Sequence, residues 1–237
     1  MSAMSGPREA EEGARVARSP GSTLRALVAD ASRPGSLAAR ARERRWQTFE
    51  AAFPGLADMS VIDLGGTSAF WASVPTRPAH LTLLNPAPGS EPELPWAETV
   101  TGDACVPPDE LTGRLFDLVY SNSTIEHVGG HSRRQLFAEV VREMGDHLWV
   151  QTPYRYFPIE PHFVFPWFQH LPVAARTAVA ARWPLMPAQF PTDRAEIREE
   201  VMGIELLSVT EMENYFPEAS LEFERVGGII KSLIAVG

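Results

Sequence analysis

The stretch Val61-Ile62-Asp63-Leu64-Gly65-Gly66-Thr67-Ser68-Ala69 constrains the fold more than any other part of the chain. An aliphatic run ends beside an acid and passes at once into small residues. That pattern predicts a buried parallel strand turning sharply into a helix. Gly65 and Gly66 carry no Cβ, so the backbone there can take unusual φ values and approach a ligand closely. The helix after the turn would present unpaired N–H groups and a positive dipole end, which suits a polar, partly anionic ligand. Taken alone, such a turn is also ordinary α/β packing, so its meaning depends on the residues C-terminal to it.

Those residues alternate between short apolar strands and helices. Strands are predicted at 60–64, 81–84, 98–101, 116–120 and 147–151, the fourth running on into Ser121-Asn122-Ser123. A short helix is predicted over 68–74, ended by Pro75. A longer one runs from Ser132, with Gln135 completing a capping box, to Met144, its stripe formed by Leu136, Val140, Val141 and Met144. Such alternation argues for a parallel sheet covered on both faces. The stretch 86–96, broken by prolines, reads as loop.

The flanks read differently. Residues 1–21 lack apolar periodicity and read as a disordered tail. Residues 22–57 read as N-terminal helices. Ser22 or Thr23 caps a short one carrying Leu24, Leu27 and Val28, which Pro34-Gly35 breaks. Ser36 caps a second, with Leu37, Ala41, Trp46 and Phe49 facing inward and Arg40, Arg42, Arg44 and Arg45 in water. The main domain spans 58–237 and holds an inserted aromatic, Pro-rich and helical segment at about 152–205. Helices are predicted over 172–182 and 193–201, and a short one from Thr210 to Tyr215. Strands over 221–226 and 229–236, joined by Gly227-Gly228, close the chain as an antiparallel hairpin.

Composition excludes several classes. A formal charge of −9 disfavours a broad phosphate-backbone footprint, so no nucleic-acid partner is expected. No apolar run approaches the ~20 residues of a membrane span, so no membrane partner is expected either. Cys105 is the only cysteine, which rules out an internal disulfide and suits a reducing cytoplasm. Lys231 is the only lysine, and residues 1–45 hold nine arginines against five acids. That bias suggests a GC-rich bacterial source.

The residues Asp63-x-Gly65, Asp103-Ala104 and Phe116-Asp117-Leu118-Val119-Tyr120-Ser121-Asn122-Ser123-Thr124-Ile125-Glu126-His127, in this order and spacing, resemble the class I S-adenosylmethionine-dependent methyltransferases. The resemblance covers residues 58–153 and, through the terminal hairpin, the fold to residue 236. It implies a Rossmann-like α/β fold with a seven-stranded, mostly parallel sheet of order 3-2-1-4-5-7-6, and helices on both faces. It also implies a ligand across the carboxyl ends of the first four strands. The implied cofactor is S-adenosylmethionine. Gly65 would lie beside its amino-acid part, with Asp63, Leu64, Gly66 and Thr67 forming the turn. Asn85 would meet the ribose diol. Asp103 would accept from the adenine amine, beside Ala104, and Ser121 and Asn122 would line the floor near the methyl group. Two residues depart from the family. Thr67 stands where a further glycine is usual, and Asn85 replaces an acid.

On the acceptor side, His127 has an ordinary pKa near ~6.5 and could take a proton from a hydroxyl or amine. It could equally serve hydrogen bonding within its loop. Some small-RNA 2′-O-methyltransferases hold a metal with a Glu-x-x-Glu-His element; their first acid corresponds to Ser123, so no metal is expected. The segment 151–162 comes after the fifth strand and would build the acceptor pocket. Tyr154 and Arg155 are candidate catalytic residues there, and Tyr156, Glu160 and His162 candidate substrate contacts. A Pro-stiffened packing loop is the competing reading. Phe163, Phe165, Trp167 and Phe168 are expected to pack, although such a cluster could also serve a homodimer contact. The expected activity is methyl transfer to O, N or C of a small molecule, in bacterial specialised metabolism. Two rivals are a non-methylating protein on the same fold and a protein methyltransferase.

Overall fold

The computed structural model describes residues 37–86, 94–187 and 190–237. The tail at 1–21, the helix expected from Ser22 or Thr23, the Ser36 cap and most of the loop at 86–96 lie outside these residues.

A parallel strand buried on both faces must be apolar on both, and the central strands here are. Strands β1 (Ser60–Leu64), β2 (His80–Asn85), β3 (Ala97–Thr101), β4 (Phe116–Asn122) and β5 (Gly145–Pro153) run parallel. The closing hairpin consists of β6 (Ser220–Val226) and β7 (Ile229–Val236), with β7 antiparallel to β5. The sheet therefore has seven strands in the order β3-β2-β1-β4-β5-β7-β6, the order that the family resemblance implies. Gly227 and Gly228 join the hairpin with φ of 57° and 84°. A two-residue turn with both φ values positive matches the right-handed twist of the strands it joins.

Alternate residues of each strand serve opposite layers. Ile62, Val119, Val150 and Leu233 pack with Phe137, Val141 and Met212, which lie on helices α3 (His131–Met144) and α6 (Val209–Tyr215). Val61, Leu118, Tyr120 and Trp149 pack instead with Trp46 and Phe49 of α1 (Leu37–Ala52) and Trp71 of α2 (Ser68–Ser73). The N-terminal helix is thus a full part of the second layer. Phe49 is 1% exposed, with ring centroids 5.0 Å from Tyr120 and 5.2 Å from Trp149. Removing such a ring costs about 3–5 kcal/mol.

The inserted segment builds a core of its own. A short ribbon pairs Ile159–Glu160 with Phe165–Pro166. Helices α4 (Val173–Ala180) and α5 (Arg194–Met202) then enclose Phe163, Phe168, Ala180, Ile197 and Val201. Phe163 and Phe168 pack as the sequence predicts, whereas Trp167 is 52% exposed.

Three local expectations need correction. α3 begins at His131 after Gly130, with no side-chain cap, so Ser132 and Gln135 form no capping box. Its buried face is Arg134, Phe137, Ala138, Val141 and Met144, and Leu136 is 40% exposed. α6 is capped by Ser208, not Thr210: the Ser208 Oγ accepts from the Glu211 N–H and Glu211 reaches back to the Ser208 N–H. A cap placed two residues too late displaces the whole helix start.

Candidate active site

The carboxyl end of β1 is set by an internal fit. Gly65 takes φ of 86°, and its N–H donates to the Leu84 carbonyl at 2.8 Å, which ties the turn to β2. A Cβ on Gly65 would lie 2.3 Å from the Thr124 hydroxyl, and one on Gly66 would lie 2.0 Å from Asp63 Oδ2. Both positions therefore demand glycine. Thr67 caps α2, its hydroxyl accepting from the Phe70 N–H at 3.2 Å. Its departure from the family pattern has a structural use. Asn85 Nδ2 donates to the Gly66 carbonyl. The expectation that Asn85 meets a ribose must accommodate that bond, which turns the amide toward the glycine turn.

Asp63 shares a strand face with Val61 and so meets the α1–α2 layer. It is 1% exposed, and its Oδ2 accepts from Trp71 Nε1 at 2.7 Å. Its Oδ1 is buried with no partner among the described residues. Burial pushes the carboxyl up to about 7, against the opposing pull of the Trp71 bond.

Beside this turn lies a cavity of about 290 Å³, with Arg42, Arg45, Asp63, Gly65, Gly66 and Lys231 among its walls. The volume is at the lower end for small-molecule sites. Arg42 and Arg45, expected in water, instead line it. Arg45 donates to Asn122 Oδ1 at 2.8 Å and to both Glu224 oxygens at 2.7 Å, so α1 is fastened to β4 and β6 across the cavity. Burial, with Arg45 nearby, lowers the Lys231 pKa, and Glu224 works the other way. Ser123, also on the wall, takes φ of 60°, and its hydroxyl donates to Gln151 Oε1 at 3.0 Å. Arg42, Arg45 and Lys231 are the residues that sequence reasoning missed. The usable signal was a lone lysine inside the apolar run Ile229-Ile230-Lys231-Ser232-Leu233-Ile234.

Other predicted cofactor residues lie elsewhere. Leu64 is fully buried in the α3 layer, and its carbonyl accepts from the Ser121 hydroxyl at 2.9 Å. Ser121 thus ties β4 to β1, and its neighbour Asn122 is among the residues that line the cavity. Asp103 is engaged by Arg133, whose Nη2 reaches both carboxylate oxygens at 2.6 and 2.7 Å, and by the Cys105 N–H at 2.9 Å. Partial burial works to raise its pKa, but these donors hold it below the ordinary value. An adenine amine would have to share the carboxylate with Arg133. Ala104 packs in the core beside it.

The acceptor-side predictions separate into two groups. Arg155 is structural: its guanidinium donates to the Leu206 carbonyl at 2.7 Å and to Glu211 Oε1 at 2.9 Å, tying the end of β5 to α6. A catalytic role would have to share the guanidinium with these two bonds. Tyr154 packs against the α3 layer and its N–H donates to the Lys231 carbonyl at 2.9 Å. Tyr156 is 51% exposed and stacks on His170.

His127, His162 and Glu160 form the second group. His127 Nε2 lies 3.1 Å from His162 Nε2, and His162 Nδ1 lies 2.7 Å from Glu160 Oε1. Glu160 is 1% exposed, and its second oxygen accepts from the Phe163 N–H at 2.7 Å. Both of its oxygens are engaged by the protein's own groups, which a substrate contact would have to share. His127 is accessible at the surface, but crowding of its ring, with His162 beside it, lowers its pKa to about 4.

No protein-family profile matches the chain, and no curated protein does. Among solved structures, the N-methyltransferase NodS from Bradyrhizobium japonicum WM9, in complex with S-adenosyl-L-homocysteine, is similar at 14% identity and a TM-score of 0.46, over 82% of this chain and 85% of that one. An S-adenosylmethionine-dependent methyltransferase from Mesorhizobium loti is similar at 16% identity and a TM-score of 0.49, over 81% and 96%. Magnesium protoporphyrin IX methyltransferase from Synechocystis PCC 6803, with bound S-adenosylhomocysteine, stands at 11% and 0.47, over 81% and 80%. Among the described residues, no helix is long and apolar enough to cross a membrane.

Proposed function

We propose that the chain is an S-adenosylmethionine-dependent methyltransferase acting on an O, N or C atom of a small molecule, in bacterial specialised metabolism. The observation that carries this reading is the charge layout of the cavity at the β1 turn. Asp63 is among the lining residues, and its Oδ1 is buried with no partner among the described residues. Arg42, Arg45 and Lys231 line the cavity as well. A carboxylate and a set of cations across one small cavity complement an amino-acid zwitterion: the ammonium meets Asp63, the carboxylate the basic side. That is the polar end of the methyl donor, and a turn with two glycines lets the backbone come close to it.

The residues present fit the cofactor at this end. When bound, it supplies an electrophilic methyl on a sulfonium, displaced in line by the acceptor. The chain's contribution is placement. Asp63 and the glycine turn hold one end, Arg45 holds Asn122 at the mouth, and α1 keeps water from the inner wall. Fixing two reactants in attack geometry supplies much of the rate in such a transfer. His127, lowered to about 4, is a weak base, so the reading rests on alignment and not on proton removal by that imidazole.

The test is a two-stage assay. S-adenosylhomocysteine should bind the full chain in one-to-one stoichiometry, and labelled methyl should pass from S-adenosylmethionine to members of a small-molecule acceptor panel. Binding without transfer to any small molecule, but with transfer to a protein extract, would replace the substrate class. Absence of binding would end the reading.

A further inference from the structure

We propose that Glu126, His127 and His162 form a binding site for one divalent first-row transition-metal ion of the zinc class. The sequence argues against a metal here, because Ser123 stands where the Glu-x-x-Glu-His element has its first acid; His162, 35 residues beyond His127, joins Glu126 and His127 only through the fold. Glu126 and His127 come directly after β4, and His162 lies on the loop that links the short ribbon after β5. Parallel neighbouring strands bring these two loops to the same edge of the sheet.

The donor atoms are arranged as ligands. One atom from each of the three side chains lies within 4.8 Å of the others. The two imidazole nitrogens are 3.1 Å apart with their ring planes at 88°. Two nitrogens bound to one ion at roughly 2.0–2.1 Å, at about a right angle, would be separated by about 3 Å. Glu126 is fully buried; its Oε2 accepts from the Thr152 hydroxyl at 2.9 Å, and its Oε1 has no partner among the described residues. A buried carboxylate oxygen left in this condition, within reach of two imidazoles, strongly favours a cation beside it.

The surroundings fit as well. His162 Nδ1 faces Glu160 Oε1 at 2.7 Å, and Glu160 is itself fixed by the Phe163 N–H. A carboxylate on the far nitrogen sets the tautomer, leaving the lone pair on Nε2, and raises the basicity of a histidine ligand. Two imidazoles and one carboxylate suit zinc and its neighbours, and do not suit magnesium or calcium, which take oxygen donors. Three protein ligands leave at least one position for water or a substrate atom. The competing explanation is a plain His–His hydrogen bond above a protonated Glu126.

Metal binding separates the two and uses neither cofactor nor acceptor, so its outcome is independent of the methyl-transfer reading. The full chain, dialysed against chelator, is titrated with Co²⁺ while visible absorption is monitored, and with Zn²⁺ by calorimetry. The expected result is one equivalent of either ion, a visible cobalt band, and a rise in melting temperature with Zn²⁺. Glu126→Gln and His162→Asn should lose the band and the Zn²⁺-dependent rise, and Glu160→Gln should weaken binding by about tenfold or more. His80→Asn and His147→Asn, which alter exposed histidines outside the cluster, should bind as the parent does. Melting curves without metal show whether each variant is folded. No cobalt band in the parent, or equal binding by folded Glu126→Gln and His162→Asn, would overturn the proposal.

Discussion

Trp71 Nε1 donates to Asp63 Oδ2 at 2.7 Å and leaves Asp63 Oδ1 buried without a partner among the described residues. One indole N–H does not offset the loss of water around a whole carboxylate. The group therefore resists ionisation until about pH 7. Stability is given up at this point in the fold, beside the glycine turn, which is the expected signature of a place reserved for a ligand.

The first prediction concerns stability against pH. The folded pKa of Asp63 is raised from 3.8 to about 7, so the folded state holds a proton that the unfolded chain has lost. Below pH ~4 both states are protonated and the group contributes nothing. Between pH ~4 and ~7 stability falls, and above pH ~7 the full penalty stands, at most about 4 kcal/mol from a shift of this size. Denaturant unfolding at pH 5 and pH 8 should show this loss in the parent. In Asp63→Asn the loss should shrink, and an undiminished loss in that variant would assign it to other groups.

The second prediction concerns Arg45. It joins Asn122 and Glu224, and the side chains of the ion pair are only 13% and 17% exposed. Arg45→Met leaves the largely buried Glu224 without its guanidinium, with only Ser232 and Lys231 still acting on it, and should cost about 1–3 kcal/mol. Adding Glu224→Gln should restore part of that loss, since the two changes share one interaction. Strict additivity in thermal unfolding would show that the pair carries no coupling.

Asn85 gives the third. Its Nδ2 donates to the Gly66 carbonyl, so Asn85→Asp sets two acceptors against each other. The variant should lose about 1–2 kcal/mol of stability and bind S-adenosylhomocysteine no more tightly than the parent. Tighter binding would mean that the amide leaves Gly66 for the ribose, as the family resemblance implies.

Sequence range explains which of these features are legible in the residues alone. The strand run 60–64 and the turn at Gly65-Gly66 are local patterns, and so is the closing hairpin, so the elements are legible from spacing, whereas their order in the sheet came only with the family resemblance. Side-chain roles depend on partners far along the chain. Arg45 reads as one of four wet arginines, yet meets Glu224 across 179 residues. Arg155 reads as an acceptor contact, yet meets Glu211. Ser121 lies one residue from Asn122, and strand alternation sends the two to opposite faces, which no motif match alone resolves.

A fourth prediction separates the two readings of Asp103. The Arg133–Asp103 pair is over 40% exposed on both sides, so breaking it should change stability by under about 1 kcal/mol. If Asp103 accepts from adenine, Asp103→Ala should weaken S-adenosylhomocysteine binding and Arg133→Ala should leave it equal or tighter. Equal weakening by both variants in calorimetry would make the ion pair itself the binding element.

The central claim is that Asp63 holds the cationic end of the cofactor, and calorimetric titration of S-adenosylhomocysteine into the full chain and into Asp63→Asn, at pH 6 and pH 8, tests it most directly. Binding a cation requires the ionised carboxylate, so affinity in the parent should be about tenfold higher at pH 8 than at pH 6. In Asp63→Asn affinity should be lower at pH 8 and show no such dependence. No saturable binding to the parent, or equal affinity in both proteins at both pH values, would contradict the account.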